Sequence, residues 1–155
     1  MDAIALLKAD HDKVKKILEE GESTTERGIK TRTELFATLK GEMIVHERIE
    51  EEIFYPALKA HPKAKDIVLE GYEEHHVVDE IMGEIEALDV SDETWGAKFK
   101  VMKENIEHHI EEEEGEMFKT ARSVFDTQEL EDLGARMLAL KERAMEEIGA
   151  APARS

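Results

Sequence analysis

The pattern that most constrains this chain is an acidic run that starts at a histidine, has a glutamate four residues later and ends in phenylalanine, and two such runs lie in long helix-favouring stretches. The first copy is His46 and Glu50, and the second copy, 63 residues later, is His109 and Glu113. On an α-helix, residues four apart lie one turn apart on the same face, so each imidazole and carboxylate can share one ion. The pattern therefore predicts helices whose inner faces carry metal ligands.

A further histidine precedes each copy, which makes the pattern an internal repeat. His11 stands between Asp10 and Asp12, and 64 residues later His75 follows Glu74. The two halves of the chain thus carry the same three ligand-type residues in the same order. Such a repeat predicts a site with approximate two-fold symmetry.

The remaining sequence is typical of an all-α protein, because it contains only three prolines and its hydrophobic residues recur at helical spacing. The spacing predicts five helices, over residues 2–20, from the Ser23–Glu26 capping box to about residue 55, 64–88, 93–124 and 126–148. Four long helices with short connections predict an up-down-up-down four-helix bundle, with an additional C-terminal helix beside it.

We expect residues 1–125 to form the bundle that carries the site, and residues 126–155 to form the C-terminal helix and a frayed tail from Gly149. Pro56 is expected to end or kink the second helix, and an Asp126–Glu129 capping box to open the last one. The last helix would cover the bundle or serve a dimer through a packing face of Leu130, Leu133, Met137, Leu140 and Met145.

Composition limits the possible function classes. The chain lacks cysteine, which excludes thiolate zinc sites, iron–sulfur clusters and disulfides. Its formal net charge of −17 argues against nucleic-acid binding, because phosphates would be repelled. No hydrophobic run approaches membrane-spanning length and the N-terminus lacks the layout of a signal peptide, so we expect a cytoplasmic protein without a membrane partner.

The inner stripes of the four bundle helices each contain one of the histidines, and two of them also contain a glutamate. A single histidine on such a stripe is more often satisfied by a backbone or water partner, but unpaired carboxylates in a dry core cost several kcal/mol each. Bound cations would compensate that cost. Four imidazoles and two carboxylates exceed a tetrahedral zinc site and favour two transition-metal ions, although zinc or copper would also bind these groups.

The combination of His11, His46-x-x-x-Glu50, His75 and His109-x-x-x-Glu113 resembles the hemerythrin-like proteins, the HHE cation-binding domain, over about residues 1–120. The run from His46 to Phe54-Tyr55-Pro56 is most similar to the bacterial, mycobacterial-type members. The resemblance implies a four-helix bundle around two iron ions with an oxo or hydroxo bridge. It also implies a ligand such as O₂, hydrogen peroxide or NO.

The sequence departs from the oxygen carriers of this family at one candidate ligand. Those proteins have a further histidine one turn after the histidine of the third helix, where this chain has Asp79. The missing imidazole implies an open coordination position or a substitute oxygen ligand. Tyr55 is one candidate, because tyrosinate binds ferric iron and the following proline is expected to turn the residue inward. Glu114 is an alternative to Glu113 as the second bridge.

The sequence is compatible with three functions. The first is catalase-like decomposition of hydrogen peroxide by a di-iron protein in oxidative or nitrosative stress. The second is an O₂ or NO carrier or sensor without turnover, and the third is metal storage or a structural ion. Each function is compatible with a monomer or a weak homodimer.

Overall fold

The computed structural model of the protein describes residues 1–150, in which every regular element is a helix. The α-helices are α1 (Ala3–Glu22), α2 (Ile29–Ile49), α3 (Tyr55–Lys59), α4 (Lys65–Glu86), α5 (Trp95–Glu112), α6 (Phe118–Val124) and α7 (Thr127–Ala150). Two π-helices, π1 (Glu50–Phe54) and π2 (Glu113–Met117), join α2 to α3 and α5 to α6 without a break, and a 3₁₀ turn (Pro62–Ala64) precedes α4. The predicted all-α bundle with an additional C-terminal helix is confirmed.

A layer of histidine and glutamate side chains separates two hydrophobic clusters. In α1, Leu7 belongs to the cluster formed with α3, α6 and α7, whereas Val14 belongs to the cluster formed with α2, α4 and α5. His11 lies between them, and it is only 1% exposed. On α4, Val68, Val78, Met82 and Ile85 are buried on the same face as His75, and Tyr72 on that face is partly buried. The hydrophobic clusters therefore hold the polar layer from both sides.

The first predicted capping box is wrong. The hydroxyls of Ser23 and Thr24 donate hydrogen bonds back to the carbonyls of Glu20 and Gly21, at 2.8 and 2.7 Å. These bonds satisfy the free carbonyls at the end of α1, so the hydroxyls do not open α2. Helix α2 begins instead at Ile29.

The capping box of the last helix has the predicted geometry. The Glu129 backbone N–H donates to Asp126 Oδ1 at 2.8 Å, and the Asp126 N–H donates to Glu129 Oε1 at 3.0 Å. Helix α7 then packs against α1 and α2. Its packing face is buried at four of the five predicted residues, but Met145 is exposed and Ala144 is buried in its place.

Pro56 does not end the second helix, which was one of the two predicted outcomes. The chain remains helical through Pro56 to Lys59, and Tyr55 has ordinary right-handed helical angles of φ −63° and ψ −45°. The turn before it is a π-helix, so the Tyr55 N–H donates to the Glu50 carbonyl five residues back. The proline therefore follows a widened turn rather than a helix end.

The C-terminal region is only partly described. Gly149, where the frayed tail was predicted to begin, is still helical in α7, and residues 151–155 lie outside the described residues. Within residues 1–150, none of the helices combines the length and the hydrophobicity that crossing a membrane requires. The division into residues 1–125 and 126–155 stays a prediction.

The contact between α7 and the start of the chain can be tested by substituting a glycine of α7. A Cβ atom on Gly134 of α7 would lie 2.4 Å from the Met1 carbonyl oxygen and 2.8 Å from the Ala3 nitrogen. Because these are backbone atoms, Gly134→Ala should push α7 away from α1 and destabilise the protein by about 1–3 kcal/mol in chemical denaturation. Gly83→Ala is the matched control, since Gly83 is an exposed helical residue with open space around it. It should stabilise by about 0.5–1 kcal/mol, and equal effects of the two substitutions would contradict the packing of α7.

Candidate metal centre

The four histidines that the repeat predicts come together in the middle of the bundle. His11, His46, His75 and His109 lie on α1, α2, α4 and α5, and all four are buried. Their rings form two edge-on pairs. The ring centroids of His11 and His46 are 5.0 Å apart, and those of His75 and His109 are 4.9 Å apart.

Glu50 and Glu113 lie between these rings, at the first residues of π1 and π2. Within each repeat, the histidine Nε2 is 3.3 Å from a carboxylate oxygen of the glutamate one turn later. Between the repeats, His11 Nε2 is 3.0 Å from Glu113, and His75 Nε2 is 3.0 Å from Glu50. Equal distances in the two halves are what the predicted two-fold symmetry requires.

Two groups of ligand atoms, each compact enough for one ion, share a glutamate. The first group consists of His11, His46, Glu50 and Glu113, and the second group consists of Glu50, His75 and His109. In each group, one ligand atom from each residue lies within 4.8 Å of the others. Glu50 is the residue that the two groups have in common. Glu113, 1% exposed, also faces the centre, whereas the alternative Glu114 lies outside the rings and contacts His11 Nδ1 at 2.6 Å.

Each histidine also contacts a second carboxylate, on the side of the ring away from the centre. The Nδ1 atoms of His11, His75 and His109 lie 2.6, 2.7 and 2.5 Å from Glu114, Glu51 and Glu74, respectively. His46 Nδ1 lies 3.0 Å from Asp10, whose other oxygen pairs with Lys141 of α7. A carboxylate on Nδ1 fixes the ring and the tautomer, which leaves the Nε2 lone pair free for a cation.

These outer carboxylates were not among the candidate ligands predicted from the sequence. The sequence contains a signal for them, because Asp10 and Glu74 each precede the first histidine of a repeat and Glu51 and Glu114 each follow its glutamate. They follow the same 63- or 64-residue offset as the inner residues. Lys141 has no such signal, since its contact with Asp10 spans 131 residues.

Tyr55 faces the centre because of π1. On a regular α-helix it would lie opposite His46, but the extra residue of a π turn reduces the angle between them to about 80°. Its side chain is fully buried, and its hydroxyl donates to Glu113 Oε2 at 2.7 Å. The hydroxyl oxygen is 3.4 Å from the Nε2 atoms of both His75 and His109. The phenol thus lies beside the histidine pair of the second group.

The residue that corresponds to Tyr55 in the second half is Phe118, 63 positions later and directly after π2. Its ring is parallel to His11, with centroids 6.0 Å apart, just as the Tyr55 ring stacks on His75 at 5.3 Å. Phenylalanine fills this packing position without a hydroxyl. Packing therefore does not explain the Tyr55 hydroxyl.

The other residues considered from the sequence lie outside the centre. The side chains of His76 and His108 are exposed and pair with Glu80 and Glu112 on their own helices. Asp79 is exposed, so it does not take the place of the histidine found in the oxygen carriers. Tyr55 is the oxygen donor that the structure places beside the second group.

Burial and mutual contact shift the protonation of the central groups. Burial raises the pKa of Glu50 well above its usual value, and the charge of Glu113 adds to this effect. Burial opposes ionisation of Glu113 as well, but hydrogen bonds with Glu50, His109 and His11 outweigh it and hold its pKa well below the usual value. Burial lowers the pKa of His109, yet hydrogen bonds with Glu113 and Glu74 raise it to about 10. Without a cation, the centre therefore carries protons in place of positive ions.

Unsatisfied atoms indicate where a cation would fit. Among the described residues, three buried side-chain atoms have no hydrogen-bond partner, and these are His46 Nε2, Glu50 Oε2 and Glu47 Oε2. The first two point into the first ligand group. Buried polar atoms without a partner cost free energy, so an imidazole nitrogen and a carboxylate oxygen left free in the same group fit a transition-metal ion.

The family assignment follows from comparison with known proteins. The sequence profile described as the Hemerythrin HHE cation binding domain matches residues 2–121. The chain belongs to this family. A crystal structure of a hemerythrin HHE cation binding domain-containing protein from Mycobacterium kansasii is similar, with a TM-score of 0.85 and 27% identity over 95% of this chain and 89% of that one. A search of curated proteins gave no match.

Proton release provides a test of the centre. Cation binding requires neutral imidazole and ionised carboxylate, but in the metal-free centre the pKa of His109 is about 10 and that of Glu50 is raised. Below these pKa values, metal uptake should release protons, so the apparent affinity should rise with pH by about tenfold per unit for each proton released. Calorimetric titration with Co²⁺ in buffers of different ionisation enthalpy measures the number. Uptake of Co²⁺ without any proton release at pH 7 would contradict the assignment.

Proposed function

We propose that the protein is a non-haem di-iron protein of the hemerythrin-like family that reacts with hydrogen peroxide or O₂. The supporting observation is the arrangement of four imidazoles whose Nδ1 atoms contact carboxylates and whose Nε2 atoms face two buried glutamates. In this proposal His11 and His46 would hold one ion, and His75 and His109 would hold the other. Glu50 and Glu113 would supply carboxylate oxygens to both.

Iron is favoured over other cations by the mixture of donors. Calcium and magnesium prefer all-oxygen sites, and the chain has no thiolate. Imidazole, carboxylate and phenol together suit ferric and ferrous iron. When bound, two iron ions supply a centre that accepts and returns two electrons.

Tyr55 is proposed as the oxygen ligand of the second ion. Burial and the charges of Glu113 and Glu50 raise the pKa of its hydroxyl well above the usual value, so without a cation the phenol keeps its proton. That proton is donated to Glu113 Oε2. A cation at the Nε2 atoms of His75 and His109 would favour the phenolate, with Glu113 placed to accept the proton.

Enclosure of the centre limits the size of the substrate. The four histidines and two glutamates are at most 6% exposed, and the phenyl rings of Phe54 and Phe118 pack beside them. A small molecule such as hydrogen peroxide, O₂ or NO suits such a site. Disproportionation converts two peroxides into one O₂ and two waters, with two electrons and two protons passing from one peroxide to the other.

The Tyr55 assignment predicts a change in the optical spectrum. Iron-loaded protein should show a visible ferric phenolate band that Tyr55→Phe abolishes while two irons remain bound. Tyr72→Phe is the matched control, because Tyr72 is the only other tyrosine of the chain and its ring packs edge-on against Tyr55 at 5.1 Å. The control should retain the band. A band that survives in Tyr55→Phe would contradict ligation by this residue.

Peroxide turnover gives the second test. Protein reconstituted with two irons should release O₂ from hydrogen peroxide, as measured with an oxygen electrode. His46→Ala should lower the rate by about 100-fold or more, since it removes an Nε2 ligand of the first ion. His76→Ala removes an exposed histidine and should leave the rate unchanged. Equal rates for wild type and His46→Ala would exclude turnover at this centre.

Reversible gas binding is the alternative that enclosure also favours. An O₂ complex that forms with the diferrous protein and disappears on degassing would assign a carrier or sensor. Zinc in the protein purified from its host would instead assign storage or a structural ion. Elemental analysis and oxygenation spectra separate these functions from turnover.

A further inference from the structure

We infer that Glu47, Glu51 and His75 form an outer binding site for a divalent transition-metal cation, from which the cation passes to the buried centre. Glu47 is the main support for this outer site. Its side chain is on α2, it is 8% exposed, and its Oε2 atom lacks a hydrogen-bond partner among the described residues. The other two atoms of this kind belong to the centre itself.

The geometry of the three residues fits a cation. One ligand atom of each of Glu47, Glu51 and His75 lies within 4.8 Å of the others. His75 Nδ1 is 2.7 Å from Glu51 Oε2, and the opposite ring nitrogen is 3.0 Å from Glu50 in the centre. One imidazole and two carboxylates are a donor set that ferrous, manganous or cobaltous ions accept.

The outer site reaches solvent through Glu51, in contrast to the centre. Glu47, Glu51 and Asp79 line a surface cleft of about 510 Å³, which also contains Lys40 and Arg48. These two cations pair with other carboxylates, Lys40 with Glu86 and Arg48 with Glu52 and Glu147. A second cleft of about 320 Å³ contains Glu51, His75 and Asp79. The two clefts meet at Glu51 and Asp79, so a cation attracted by these carboxylates reaches His75 from outside.

His75 connects the outer site to the inner one. It belongs to the outer group with Glu47 and Glu51 and also to the second ligand group with Glu50 and His109. A cation at Nδ1 requires the ring proton on Nε2, and a cation at Nε2 requires it on Nδ1, so the transfer is coupled to a change of His75 tautomer. Glu51 beside Nδ1 and Glu50 beside Nε2 are placed to accept and return that proton. On the corresponding side of His46, Lys141 pairs with Asp10 and places a positive charge where a cation would approach.

The repeat shows that the bundle does not need these charges. The positions that correspond to Glu47 and Asp79 in the other half are Ile110 and Lys15, by the same offsets of 63 and 64 residues. Ile110 is buried at 3% exposure, so a hydrocarbon side chain fills this position in the repeat. Around His75 the chain thus has two acidic side chains where the corresponding positions around His11 hold a hydrocarbon side chain and a lysine.

Uptake kinetics test the outer site independently of turnover. Metal-free protein is mixed with Co²⁺ in a stopped-flow instrument, and the rise of the Co²⁺ absorption is recorded. Glu47→Gln should slow uptake by about tenfold or more, because it replaces a carboxylate of the outer ligand group with a weaker amide ligand, while the final stoichiometry stays at the wild-type value. Glu52→Gln is the matched control, since Glu52 is an exposed carboxylate that lines the same cleft. It should leave the rate unchanged.

A second measurement isolates the outer site at equilibrium. The variant His46→Ala/His109→Ala lacks inner ligands but should still bind one Co²⁺ weakly, and added Glu47→Gln should abolish that binding. If Glu47→Gln does not fold by circular dichroism, Glu47→Ile, which copies Ile110, replaces it in both measurements. Equal uptake rates for wild type and Glu47→Gln, or equal slowing by Glu52→Gln, would overturn the proposal. The proposal depends on the two-ion centre only for the place to which the cation passes. Wild-type protein that binds fewer than two Co²⁺ would contradict the two-ion centre and not the outer site.

Discussion

The structure depends on how the bundle satisfies a layer of buried imidazoles and carboxylates. Charged or polar groups in a helical core cost several kcal/mol each unless they are paired. Here every histidine uses Nδ1 for a carboxylate at the edge of the bundle, so its Nε2 atom faces inward. The inner nitrogens then meet two glutamates and, at His75 and His109, the Tyr55 hydroxyl, and His46 Nε2 is left without a hydrogen-bond partner. The layer therefore leaves buried nitrogen and oxygen atoms without hydrogen bonds, and these are atoms of the kind that bind metal ions.

The two π-helices determine which side chains reach that layer. Each begins at a central glutamate, and each widens the helix by one residue directly before an aromatic ring. Without the extra residue, Tyr55 and Phe118 would point away from the histidines, and a regular α-helix would place other side chains there. A local departure from helical geometry in both halves thus supplies the rings that pack on His75 and His11.

Helical periodicity predicted the residues that lie on regular helices, but it did not predict the departures from regular helical geometry. His11, His46, His75 and His109 were found because helical spacing and a 63- or 64-residue repeat are properties of the chain itself. The inward position of Tyr55 was proposed for a wrong reason, since spacing arguments assume a constant 100° per residue and a π turn breaks that assumption. Ser23 was assigned to the wrong helix because a hydroxyl can close one helix as well as open the next. Lys141 could not be found, since its contact with Asp10 depends on how α7 packs.

Three of the differences between the two halves of the repeat lie around the centre. Tyr55 corresponds to Phe118, Glu47 corresponds to Ile110, and the Asp10 carboxylate has a lysine partner where its counterpart Glu74 lies beside His108 and Glu112. A symmetric layer would give two equivalent ions. An ion held by His75 and His109 would instead have a phenol oxygen and acidic side chains beside it, whereas an ion held by His11 and His46 would lie between a hydrocarbon ring and a carboxylate that is paired with lysine. Because oxygen ligands and negative charge stabilise the more oxidised state of a metal, the two positions are expected to differ in reduction potential.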